Sequence, residues 1–132
     1  MNLDDTVSDS GAEEARLRFI KHKGQAIFLI DYSHCGSQEI LFLLEQVRAI
    51  IARHAHGSVL TLVDLTGAEI DKKVITRMKE VATLDRPYVK RSAFVGTDTM
   101  PRVFYENIKS FSQREFPTFT TREEAMDWLA AE

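Results

Sequence analysis

Past its first fourteen residues the chain switches between a two-residue and a 3.6-residue hydrophobic period, and the switches mark out its elements. ARLRFIKHKGQAIFLIDYS holds two strand-like runs, Arg16 to Lys21 and Gln25 to Asp31, separated by a tight turn in which Gly24 can take a positive φ. This pattern predicts a β-hairpin. Ser37 then stands as N-cap before QEILFLLEQVRAIIARH, where Ile40, Leu43, Leu44, Val47, Ile50 and Ile51 recur at helical spacing. A helix over 38–54 follows, with Gly57 as its stop. SVLTLVDL, 58–65, is a compact run of Val and Leu, as a central strand requires.

The second helix begins after Asp71, with Val74, Ile75, Met78, Val81 and Ala82 as its apolar stripe. Pro87 helps close the connection, Tyr88 to Val95 reads as the next strand, and Thr99 can cap a third helix with Val103, Phe104, Ile108 and Phe111 facing inward. Phe116 to Phe119 is a short strand interrupted by Pro117, hence an edge. Thr121 and Glu124 form a capping box ahead of a last helix anchored by Ala125, Trp128 and Leu129. The order β-β-α-β-α-β-α-β-α predicts one α/β domain over 15–132: a mixed sheet, parallel except for the first hairpin strand, with right-handed crossovers.

Composition sharpens this picture at three points. The 132 residues, 44% hydrophobic and 28% charged, are enough for one core without disulfides, and the single cysteine, Cys35, cannot form an internal bridge. No apolar run approaches a membrane span, and MNLDDTVSDSGAEE lacks the basic and apolar regions of a signal peptide, so the chain is expected to be cytoplasmic. Those first fourteen residues carry five acids and no base and are expected to form a disordered tail; residues 72–114 carry ten bases against four acids. Such a basic segment marks nucleic acid only if its cations share one face, and a solvated helix surface is the simpler reading.

The hairpin entering helix one, VLTLVDLTGA, RPYVKRSAFVG, FSQREFPTF and TREEAMDWL together resemble the bacterial SpoIIAA-like family, whose fold relates to STAS domains and more distantly to lipid-carrying CRAL-TRIO domains. The resemblance covers about residues 15–130. It implies helices packed largely on one sheet face and frequent self-association, here as a homodimer; the family has no catalytic signature. In the regulatory STAS proteins a DLSG-like strand end leads to an Asp-Ser pair whose serine is phosphorylated. DLTGAEID supplies Asp64, Thr66, Gly67 and Asp71, but Lys72 and Lys73 stand where the serine would, and Thr76 falls inside the helix. Ala68-Glu69-Ile70-Asp71 also lacks the glycines of a phosphate cradle. Asp71 is therefore expected to be a helix cap, with Lys72 and Lys73 offering a weak anionic contact.

A second candidate is DYSHCGSQE, which brings Asp31, Ser33, His34 and Cys35 to a strand end before a helix, where open α/β sheets bind ligands and a thiol can be activated. It has no second cysteine, no nucleophile elbow and no zinc spacing, and His54 and His56 lie at the far end of the helix. A third is the Phe-rich second half, where an apolar space beside Arg102 and Lys109 would suit an acyl chain with an anionic head. The expected function is a non-enzymatic binding or regulatory module acting through protein contacts, without cofactor or metal. The alternative is a carrier or sensor of a small amphipathic anion such as a fatty acid, and an enzyme built on Asp31, His34 or Cys35 ranks third.

Overall fold

The computed structural model describes residues 15–131; the tail expected over 1–14 lies outside them. The elements are β1 (Leu17–His22), β2 (Gln25–Asp31), α1 (Ser37–Ile51), β3 (Val59–Asp64), α2 (Lys72–Asp85), β4 (Val89–Val95), α3 (Arg102–Ser112), β5 (Thr118–Phe119) and α4 (Arg122–Ala130), with a 3₁₀ turn at Thr97–Thr99. They form an α/β fold on a five-stranded mixed sheet of order β1-β2-β3-β4-β5. β1 runs antiparallel to β2, through a turn with φ of 51° at Lys23 and 81° at Gly24, and every later pair is parallel.

Because the parallel strands are laid down in simple succession, their three crossover helices all land on one face. Phe28 and Ile30 of β2 face that layer and join Ile40, Leu44 and Val47 of α1, Val74, Met78 and Val81 of α2, and Ile108 of α3. Ile27 and Leu29 point the other way, with Leu60, Leu62 and Ala93, onto Ala125 and Leu129 of α4. Strands buried on both faces explain why β2 and β3 read as continuous apolar runs rather than alternating ones. Among the described residues no helix is long and apolar enough to cross a membrane.

Several sequence expectations are corrected locally. The N-cap of α1 is Gly36, not Ser37, which is already the first helical residue; its amide donates to Glu69 Oε1 (3.3 Å) from the β3–α2 loop. The helix ends at Ile51, short of the expected His54. α3 starts after Pro101 rather than Thr99, since Thr97–Thr99 are taken up by the 3₁₀ turn. Its inward face is also narrower than expected. Ile108 and Ser112 are buried, Phe104 is half-buried, and Val103 and Phe111 are 61% and 56% exposed. α3 lies at the end of the helical layer beside α2 alone, so only one stripe of it meets the core. Asp71 does cap α2, accepting from the Val74 amide at 2.9 Å, and the Thr121–Glu124 capping box is formed.

One glycine lets two loops meet at the carboxyl ends of the parallel strands, and another closes the hairpin at their opposite end. Gly96 has φ 72°, and a Cβ there would fall 2.4 Å from the Thr66 backbone nitrogen; Gly24, at φ 81°, has open space around it. Replacing Gly24 with Ala is expected to cost about 1 kcal/mol, the left-handed penalty alone. Gly96→Ala adds a backbone clash and should cost at least about 3 kcal/mol. Urea unfolding midpoints of the two variants check this, and equal losses would refute the close approach of the two loops.

Candidate functional site

The carboxyl ends of β2 and β3 bring Asp31 and Asp64 side by side in register. Two like charges so placed repel, and cations relieve the repulsion. Arg122, the first residue of α4, sends Nε to Asp64 Oδ2 at 2.8 Å and Nη2 to Asp31 Oδ2 at 3.2 Å. Arg16 reaches the Asp31 and Ser33 carbonyls at 3.1 and 2.9 Å, with its Nη1 3.9 Å from Asp31 Oδ1. Thr66 donates its amide and hydroxyl to the remaining Asp64 oxygen, at 2.9 and 2.7 Å, which closes the DLTG turn. Partial burial works to raise the Asp31 carboxyl, but the Ser33 hydrogen bonds and the Arg122 guanidinium outweigh it and hold the group below the ordinary carboxylate value. Asp31 is thus held as an ion, and both carboxylates sit in fixed contacts, an arrangement suited to positioning α4 more than to moving protons.

The other residues singled out from DYSHCGSQE diverge. His34 is exposed, in the left-handed region (φ 58°), and its ring lies where a Gly67 Cβ would be, 2.5 Å from Nδ1. Cys35 turns inward and is 1% exposed; burial pushes its thiol up to about 11, with Arg16 pulling the other way. His54 packs against Phe19 and His56 against Tyr88, at the opposite end of the sheet. Lys72 and Lys73 border a shallow depression of about 310 Å³ with Arg77, whose guanidinium is already engaged by Glu45 and Glu80. Thr76 donates its hydroxyl back to the Lys72 carbonyl at 2.9 Å. Among the described residues no group of three or more His, Cys, Asp or Glu is placed to hold a metal ion.

The Phe-rich space exists, but in a different setting. A cavity of about 60 Å³ lies between the sheet and the helical layer, walled by Leu44, Val47, Met78, Ile108, Phe94 and Phe116. Arg102 and Lys109 are not among its lining residues; its cation is Arg114, from the loop between α3 and β5. That guanidinium donates to the Ala82 carbonyl at the end of α2 (3.0 Å) and to Ser92 Oγ, and sits 4.7 Å over the Phe116 ring. Ser92 and Thr61 share a hydrogen bond of 2.6 Å on the sheet floor, and Tyr32 and Asp85 complete a polar cluster inside an otherwise apolar core. Burial raises the Asp85 carboxyl to about 6 although Arg114 opposes the shift; burial likewise lowers Arg114 to about 10. The volume sets the scale of any occupant. A cavity of about 150 Å³ takes benzene, so this one admits a few waters or a very small molecule and no acyl chain. Asp64 is marked by the DLTG strand end, whereas Arg16, Arg122, Asp85 and Arg114 carry no spacing signal in the sequence; among these only the charge of Asp85 on the buried side of α2 could have drawn notice.

Two outcomes follow. The folded protein binds the Asp85 proton more tightly than the unfolded chain does, so this carboxyl's contribution is present in full below about pH 4 and is lost as pH rises through 6. Between those values Asp85→Asn should gain about 2 kcal/mol relative to the wild type, read from urea unfolding across pH. A parallel pair of curves would sink the assignment. Iodoacetamide should modify Cys35 in the folded protein at neutral pH at least about 100-fold more slowly than a free thiol, and an ordinary rate would show that the thiol is open. Comparison with family models, characterised proteins and solved structures finds no match to this chain.

Proposed function

We propose that this chain is a non-enzymatic binding and regulatory module of SpoIIAA-like, STAS-like type, cytoplasmic, acting through protein contacts that include a second copy of itself. The observation that carries the reading is the outer surface of the helical layer. Four large apolar side chains there stand in water: Phe42 of α1 (55% exposed), Leu84 of α2 (43%), and Val103 and Phe111 of α3. All four belong to helices on the same side of the sheet, and Val103 and Phe111 fall two turns apart on one stripe of α3. Large apolar groups gathered on one layer mark an interaction surface more than scattered single ones do. The phosphorylation switch of the regulatory STAS proteins is no part of this proposal, since Lys72 and Lys73 occupy the acceptor position and the Thr76 hydroxyl is turned into its own helix.

The alternative, a carrier of a small amphipathic anion, draws on the cavity beside Arg114. It requires the helical layer to part from the sheet before anything as large as an acyl chain can enter. Native mass spectrometry separates the two readings in one spectrum. The module reading expects a concentration-dependent dimer without added mass. The double variant Val103→Glu/Phe111→Glu should shift it to monomer at least about tenfold in dissociation constant, with an unchanged melting temperature because both side chains already face solvent. A wild type that stays monomeric, with neighbours in its native cells that the double substitution does not alter on proximity labelling, overturns the reading. A reproducible extra mass released on denaturation would transfer it to the carrier.

A further inference from the structure

β5 is only two residues long and pairs with Phe94 and Val95 alone, so the first half of β4 has no strand beside it on that edge. Phe94 donates its amide toward β5, to the Pro117 carbonyl at 2.9 Å. By strand alternation the Ser92 amide points the same way, toward the edge where β5 does not reach it. Just before it the register against β3 slips, Val59 opposing Val89 and Leu60 opposing Arg91, so that Lys90 is an inserted bulge residue. The bulge breaks the alternation of β4. Val89, Lys90, Arg91 and Ser92 line a surface groove of about 350 Å³ along this free edge.

The groove gathers charge of one sign. Arg86 from the end of α2, Lys90 and Arg91 from β4, and Arg114 from the α3–β5 loop line it, with Glu115 as the one acid and Trp128 of α4 closing a side. Among the described residues none of these four cations forms a salt bridge, whereas Arg16, Lys23, Arg77 and Arg122 all do. Their donors are only partly used. Arg91 reaches the Trp128 and Ala131 carbonyls, Arg114 reaches Ala82 and Ser92, and Arg86 reaches Gln113 Oε1 at 3.2 Å. A guanidinium has five N–H groups, so each keeps donors to offer, as does the exposed Lys90 ammonium. These contacts also fix the guanidiniums before any ligand arrives, which lowers the ordering cost of binding.

We infer that this groove is a binding site for the phosphate group of a small phosphate monoester. The choice of phosphate follows from charge and donor count. Four cations against Glu115 in the lining and Asp85 behind Arg114 leave an excess of about two, which a dianion offsets better than a single carboxylate does. Arginines suit the several oxygens of a phosphate, and 350 Å³ lies at the small end of pockets that hold whole ligands, about 300–1,000 Å³. The site is separate from the apolar helical surface proposed for protein contacts and does not depend on that reading.

Trp128, the one tryptophan of the chain, lines the groove and reports on it directly. Its fluorescence should be followed on adding inorganic phosphate, adenosine monophosphate and glutarate, each against sodium chloride of equal ionic strength. Saturable changes with the two phosphates are expected, and no saturation with glutarate. Equal affinities would show that the phosphate alone is read, and tighter binding of the monoester would show that its organic part also contributes. Lys90→Glu and Arg86→Ala, both at exposed positions, should each weaken the response about tenfold or more while leaving the melting temperature in place. A response that does not saturate, that glutarate reproduces, or that Lys90→Glu leaves unchanged overturns the site.

Discussion

The guanidinium of Arg122, held between Asp64 and Asp31, is the contact on which the closing of this fold depends. It anchors α4, which among the described residues alone covers the second face of the sheet, and that helix is weak by itself. Nine residues are too few for a stable isolated helix, and only Ala125 and Leu129 are fully buried. Its ends and flank are therefore tied by polar contacts: Arg122 to the strand ends, Arg91 to the Trp128 and Ala131 carbonyls, and Asp127 to His22 at 2.7 Å and to Lys23 at 2.9 Å. With α4 seated, Ile27, Leu29 and Leu62 are wholly out of water, about 2 kcal/mol of transfer free energy for each such side chain. The paired aspartates at the strand ends thus serve the architecture.

Succession of the parallel strands has a second consequence. Ligands of open α/β sheets commonly sit where the strand order reverses and neighbouring crossovers part. Here β2 to β5 never reverse, so the strand ends carry no such crevice, and their loops close on one another through Gly67 against His34 and Gly96 against Thr66. Space is found instead where the sheet is incomplete. The shortness of β5 leaves the outer groove beside the first half of β4, and Arg114 and Ser92 line both this groove and the internal cavity. Arg114 is the wall between a small apolar interior and a basic exterior.

The cluster of Tyr32, Thr61, Ser92, Asp85 and Arg114 places polar groups in a core that could have been wholly apolar. A buried carboxyl and a buried guanidinium repay their desolvation only through good hydrogen bonds and mutual attraction. Arg114 has both, in the Ala82 and Ser92 contacts and the nearness of Asp85, and the Phe116 ring lies beneath it. The arrangement ties the end of α2, the α3–β5 loop and β4 together at the place where strand pairing stops.

By itself the sequence determined the α/β class, the element order, the parallel central strands and the caps at Asp71 and Thr121, because each is written in local period and local hydrogen-bonding chemistry. The same locality explains the errors at Ser37 and Thr99: the helix begins one residue earlier, after Gly36, and Thr99 is taken up by a 3₁₀ turn. Periodicity ranked Phe111 and Val103 as core because it registers an apolar stripe but not whether a neighbouring element covers it. Of the candidate sites, the strand end at Asp31 was legible, yet its partners Arg16 and Arg122 stand 15 and 91 residues away and no spacing announces them. Only the tertiary structure decided that Cys35 turns inward while His34 turns out, that Arg114 rather than Arg102 or Lys109 meets the cavity, and that four basic residues from three segments share one groove. Charge and burial at a site are sums over neighbours in space, and those neighbours are chosen by the packing of helices on the sheet.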